Sequence, residues 1–174
     1  MSLFNELVLI SLKKQDAFSH TPSAEEWQLT YNEARKQAML GICYAGIEHL
    51  PANQRPDKDL LLNWFGQKEY IKHQNKLVSE RTAEVTRLFA TGSFRSLVLQ
   101  GQGVALLYPI PSFRSCGDID LWVEGNRRKV INFIKQSGWK IGPSFIHHTD
   151  VYIFPDTSVE VHHIPVIRIA HLDG

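Results

Sequence analysis

The spacing of apolar residues along the chain changes character near Gly92. Before it the spacing is helical. In "TPSAEEWQLTYNEARKQAMLG" apolar or small residues recur at Trp27, Tyr31, Ala34, Ala38 and Gly41, one face of a helix. Thr21 is placed to cap that helix, and Pro22 suits its first position. "GICYAGIEHL" reads as a second helical segment ending before Pro51, and "NQRPDKD" as a polar connection. From about Asp57 to Ala90 no proline intervenes. Leu61, Trp64, Phe65, Lys68, Ile71, Asn75, Val78, Thr82, Val85 and Phe89 keep a helical spacing there, which predicts one long helix closed by Gly92.

Beyond Gly92 the runs shorten. "RSLVLQG" is a short apolar strand, "GVALLYP" can form one or two helical turns, and "DIDLWVE" alternates with period two. "NRRKVINFIKQSG" is an amphipathic helix with Gly138 as its C-terminal cap. "IHHTDVYIF" and "SVEVHHI" are strands joined through "PDT", a turn suited to a hairpin. There is no internal repeat. The pattern predicts an α+β protein: a helical N-terminal part, residues 1–90, followed by a mixed sheet with flanking helices over residues 91–174, its regular elements ending near 166. The chain stops at "RIAHLDG" without a closing element, so the α/β core is expected to be incomplete at its C-terminus.

Composition narrows the class. At 174 residues, 43% hydrophobic and 21% charged, the chain can build an ordinary globular core. A net charge of +1 argues against binding nucleic acid through overall charge, and no DNA-binding feature is evident, Arg127-Arg128-Lys129 being the one local basic cluster noted. Cys43 and Cys116 are too few for a disulfide framework. No secretory leader or membrane-length apolar run is seen in the sequence, and the expectation is a cytoplasmic protein with no membrane partner.

The candidate chemistry lies in "RSCGDIDLWVE". In a strand, alternate side chains share a face, so Asp118, Asp120 and Trp122 lie opposite Ile119, Leu121 and Val123. The second set suits a core. The first places two carboxylates about 7 Å apart along the chain, an arrangement that a divalent cation such as Mg²⁺ or Mn²⁺ would stabilise. An Asp-x-Asp pair also occurs at solvated strand ends and turn caps. Two neighbours favour the metal. Gly101 and Gly103 let the backbone approach a ligand at a strand-to-helix turn. In "VEVHH", Glu160 and His162 share a face, and a strand beside "DIDLWV" would bring Glu160 up as a third carboxylate.

A glycine turn, an Asp-x-Asp strand and a later strand with a third acid resemble the nucleotidyltransferase superfamily, with its DNA polymerase β-like fold. "LQGQGVALLYPIPSFRSCGDIDLWVE" followed by "VEVHH" is similar, more narrowly, to the bacterial uncharacterised nucleotidyltransferase family over about residues 96–163. The resemblance implies that Asp118, Asp120 and Glu160 are the catalytic acids and hold Mg²⁺ or Mn²⁺. It implies transfer of a nucleotidyl group from an NTP to a hydroxyl acceptor, a small molecule, protein or RNA, with release of pyrophosphate. Gly101 and Gln102 would form the turn facing the nucleotide phosphates, and Arg114 would reach a phosphate or else hold the loop by a salt bridge. Gln100 stands where the family tends to have lysine, and Gly101-Gln102 where the superfamily usually has Gly-Ser or Gly-Gly.

Two other readings stay open. One histidine from His147-His148 and one from His162-His163, with Asp150 or Glu160, could bind zinc. Alternatively, the fold serves as a catalytically impaired nucleotide-binding or partner-binding module.

Overall fold

The computed structural model describes residues 1–164. The expectations about the chain's end and the last residues of the α/β part lie outside the described residues. It is α+β, with helices followed by a five-stranded mixed sheet. Two compact units can be separated. The first comprises Met1–Leu77 and Ala105–Cys116, the second Val78–Val104 and the chain from Gly117 onward.

The first unit is helical. Helix α1 (Leu3–Ser11) is capped by Ser2, whose hydroxyl accepts from the Asn5 amide. Helix α2 (Ala24–Lys36) begins two residues later than Thr21 and Pro22 suggest, because Ser23 is its cap. Ser23 Oγ accepts from the Glu26 amide at 3.2 Å, and Glu26 accepts from the Ser23 amide at 2.8 Å, so two otherwise orphaned donors are satisfied reciprocally. The apolar spacing carried through Ala38 to Gly41 does not belong to one helix. Ala38 adopts a left-handed conformation (φ 55°), and helix α3 (Leu40–His49) starts anew. Leu7, Ile10, Trp27, Ala34, Cys43 and Ile47 from these three helices are buried around Trp64.

Helix α4 (Lys58–Thr91) is the expected long helix. Its inward spacing includes two polar positions with physical reasons to be there. The Lys68 ammonium lies 4.3 Å from the Phe65 ring centre and 5.0 Å from that of Tyr44, where the ring quadrupoles favour a cation. Asn75 donates to the carbonyls of Ser112 and Arg114.

Another buried polar group shapes the acid stability of this unit. Burial alone would raise the Glu6 carboxyl, but hydrogen bonds from the Ser19 amide (2.9 Å), Gln15 Nε2 (3.0 Å) and Ser19 Oγ (3.1 Å) prevail and hold it below its ordinary value. A carboxyl whose pKa is depressed by folding contributes stability above the unfolded pKa of 4.5, and this is lost as pH falls through the folded value. We expect Glu6→Gln to cost about 1–2 kcal/mol at pH 7 and to remove much of the loss of stability on acidification below about pH 4.5. Urea denaturation at pH 7 and pH 3 checks both parts; parallel losses in the wild type and the variant would contradict them.

In the second unit, strands β1 (Ser96–Val98), β2 (Ile119–Val123), β3 (Lys140–Ser144), β4 (His148–Tyr152) and β5 (Val159–His162) are ordered β1-β2-β5-β4-β3. Only β2 and β5 run parallel; the other pairs are antiparallel. The hairpin expected around "PDT" is β4–β5. Strand β3 was not expected: it contains Gly142 and Pro143, and its register shifts between Ile141 and Ser144. An edge strand tolerates such a proline because one side of it needs no donor. Helix α6 (Arg127–Gln136) buries Val130 and Ile134 and ends as expected before Gly138, which is left-handed at φ 76°. Gly92 follows α4, but Ser93 takes the left-handed conformation (φ 61°). Gly92 instead makes room for Phe133, whose ring would lie 2.5 Å from an added Cβ.

The β4–β5 loop is tied down within this unit. Arg81 of α4 donates through Nε and Nη2 to the two carboxylate oxygens of Asp156, at 3.1 and 2.9 Å, and its guanidinium lies 4.7 Å from the Phe154 ring centre. The hydrogen bonds from Arg81 hold the Asp156 carboxyl below its usual range. No helix among the described residues is long and apolar enough to cross a membrane.

Candidate functional site

The alternation in β2 separates structure from chemistry. Ile119, Leu121 and Val123 are buried beneath the sheet, while Asp120 and Trp122 face the other way and are only partly covered. Asp118 lies immediately before the strand and is exposed. In β5, Val159 and Val161 are buried with the core, and Glu160 and His162 point to the face of Asp120. The parallel register sets Asp120 beside Glu160 and Trp122 beside His162. On the other side of β5, Asp150 of β4 is opposite Glu160, and His148 opposite His162. Three neighbouring strands therefore present Asp120, Glu160, Asp150, His148 and His162 on one face, with Asp118 at its entrance.

The contacts are close. His162 Nε2 lies 3.0 Å from Asp120 Oδ1 and 3.6 Å from Glu160 Oε2. His148 Nε2 lies 3.3 Å from Asp150 Oδ1 and 3.5 Å from Glu160 Oε2. Burial pushes the Glu160 carboxyl above its usual range, and the charges of Asp118 and Asp120 push it further, against the opposing pull of His148 and His162. A cation placed here would relieve this concentration of negative charge. A cleft of about 430 Å³ opens at this end of the sheet, lined by Asp118, Asp150, Tyr152, Ser158 and Glu160 among others.

The glycine turn lies against the same strand. Gly101 is left-handed (φ 61°), and a Cβ there would sit 3.4 Å from the Asp118 carbonyl oxygen. The Leu99 amide donates to the Asp120 carbonyl at 2.9 Å, so the turn and the start of β2 are one local structure. Gln102 opens helix α5 (Gln102–Ala105), which has only four residues. Gly101→Ala is expected to destabilise the protein by about 1–2 kcal/mol, the cost of a left-handed L-residue. The space itself would accept the methyl group. Chemical denaturation checks this, and an unchanged midpoint would contradict it.

The structure thus brings Asp118, Asp120, Glu160 and Gly101 together in the second unit. Arg114 belongs to the first unit, at the end of a 3₁₀ turn, Pro111–Phe113, where its carbonyl accepts from Asn75. His148 and His162 enter through register. Period two already placed His162 on the face of Glu160, but its contact with Asp120, 42 residues away, depends on β5 pairing with β2. The neighbouring His163 is on the opposite face, where its Nε2 lies 2.9 Å from Thr149 Oγ1. Burial, with smaller contributions from Arg127, His162 and His148, lowers the His163 pKa to about 4.

The family model described as uncharacterised nucleotidyltransferase matches residues 23–172. No curated protein and no solved structure matches the chain.

Proposed function

We propose that this chain, which belongs to the uncharacterised nucleotidyltransferase family, is a metal-dependent enzyme that moves a nucleotidyl group from an NTP to a hydroxyl acceptor. A new bond forms between the acceptor oxygen and the α-phosphorus. The bond to the bridging oxygen breaks, pyrophosphate leaves, and the hydroxyl proton is released. The observation that carries this reading is the placement of Asp120 beside Glu160 on paired parallel strands, with Asp118 at the entrance.

The donor set fits a hard divalent cation, since three carboxylates offer oxygen ligands and crowd one another electrostatically. Asp118, Asp120 and Glu160 would hold Mg²⁺ or Mn²⁺, which when bound neutralises phosphoryl charge and lowers the pKa of the attacking hydroxyl. The rest falls to the chain itself. His162 fixes the orientation of Asp120 through the 3.0 Å contact. The core residues Ile119, Leu121, Val159 and Val161 hold the two strands in register beneath the acids. Gly101 leaves the backbone open to phosphates beside Asp118, with Gln102 next to it. For Arg114 the family resemblance implies a phosphate contact, with a salt bridge holding its loop as the alternative.

A second reading, a binding module without turnover, draws on Gln100, where the family's lysine would supply a phosphate contact, and on Gln102, where the superfamily usually has Ser or Gly. One experiment separates the two. Calorimetry with each NTP, with and without Mg²⁺, is followed by a pyrophosphate assay with mixed protein, RNA and small-molecule acceptors. Mg²⁺-dependent binding with pyrophosphate release supports the enzyme, binding without release supports the module, and no NTP binding with or without Mg²⁺ contradicts both.

A further inference from the structure

We infer that the same sheet face carries a second kind of metal site, His148–Glu160–His162, suited to a nitrogen-preferring ion of the Zn²⁺ type. One potential ligand atom from each residue lies within 4.8 Å of the other two. Glu160 Oε2 is 3.5 Å from His148 Nε2 and 3.6 Å from His162 Nε2. Zn–N and Zn–O bonds of about 2.0–2.1 Å put neighbouring ligands of a tetrahedral ion roughly 3.3 Å apart, so two sides of the triangle are already near their bound lengths. Imidazole nitrogens suit zinc, whereas Mg²⁺ takes oxygen ligands and keeps its waters.

The rings are held in place. His148 packs between Phe145 and His147, with ring centres 4.8 and 4.4 Å away, and His162 is almost wholly buried. The Nε2 atoms that reach Glu160 also reach Asp120 and Asp150. The Asp150 carboxylate, 3.3 Å from His148 Nε2, stands within reach as a fourth ligand. His148 Nδ1 is buried with no hydrogen-bond partner among the described residues.

Glu160 is common to this site and to the three acids of the proposed reaction. Zinc at the histidines and a catalytic metal at Asp118 and Asp120 therefore compete for it. Only this competition rests on the nucleotidyl-transfer reading; the zinc site stands on its own residues.

The test is calorimetric titration of the chelator-treated full chain with Zn²⁺, paired with visible spectroscopy of the Co²⁺ form. One ion per chain and the intense absorption of tetrahedral cobalt are expected. His148→Ala and His162→Ala should each weaken Zn²⁺ binding at least about 10–100-fold. Asp118→Asn and His163→Ala should leave it within a few-fold, and these variants also control for folding. Zn²⁺ affinity unchanged in both His148→Ala and His162→Ala, or lost equally in His163→Ala, overturns the site. Zn²⁺ binding with this pattern in a protein that shows no Mg²⁺-dependent NTP binding leaves the zinc site standing and removes the transferase reading alone.

Discussion

Replacing Asp118 or Asp120 by Asn is expected to reduce Mg²⁺-dependent NTP affinity at least about 100-fold. Loss of mere outer-shell partners of metal ligands already costs 10–100-fold, and these carboxylates are proposed as ligands themselves. Asn preserves shape and removes only the charge. The two substitutions differ in a useful way. Asp118 is exposed before β2, so its loss should leave stability unchanged. Asp120 pairs with His162, so its loss should also loosen that histidine. Calorimetry with NTP and Mg²⁺, beside a thermal melt, reads both effects. Wild-type binding in both variants would contradict the assignment of the acids.

The largest effect on stability is expected at Trp64. Its side chain is fully buried, its Nε1 donates to the Leu40 carbonyl at 2.8 Å, and its ring meets Trp27 and Tyr31 edge-on at 6.0 and 5.1 Å. Trp64→Ala should cost about 3–5 kcal/mol, from lost burial and the cavity left behind. Trp64→Phe keeps much of the packing and loses the hydrogen bond, at about 1–2 kcal/mol for that contact. Urea denaturation followed by circular dichroism orders the two. Equal stability in the alanine and phenylalanine variants would show that the packing does not carry the cost.

Much of the fold was legible because its elements have clean periods. The 34 residues of α4 keep one helical spacing, and β2 alternates without exception between buried and partly buried residues. Where local signals competed, the sequence misled. Thr21-Pro22 looks like a helix start, yet Ser23 wins because Glu26 stands three residues on, where it can complete the reciprocal cap. The break between α2 and α3 rests on an alanine in a left-handed conformation, which no residue preference announces. Strand β3 hides behind Gly142-Pro143, tolerable only because it lies at an edge. At the site, the faces of Asp120 and Glu160 followed from period two. Their adjacency, and the closing of His148 and His162 on Glu160, required the strand order, which local pattern does not encode.

The most direct measurement of the central claim is anomalous scattering from Mn²⁺ in crystals soaked with a non-hydrolysable NTP. The account predicts a manganese peak within about 2.5 Å of carboxylate oxygens of both Asp118 and Asp120, with the triphosphate bound to it beside Gly101. Nucleotide bound with no metal at these aspartates would contradict it.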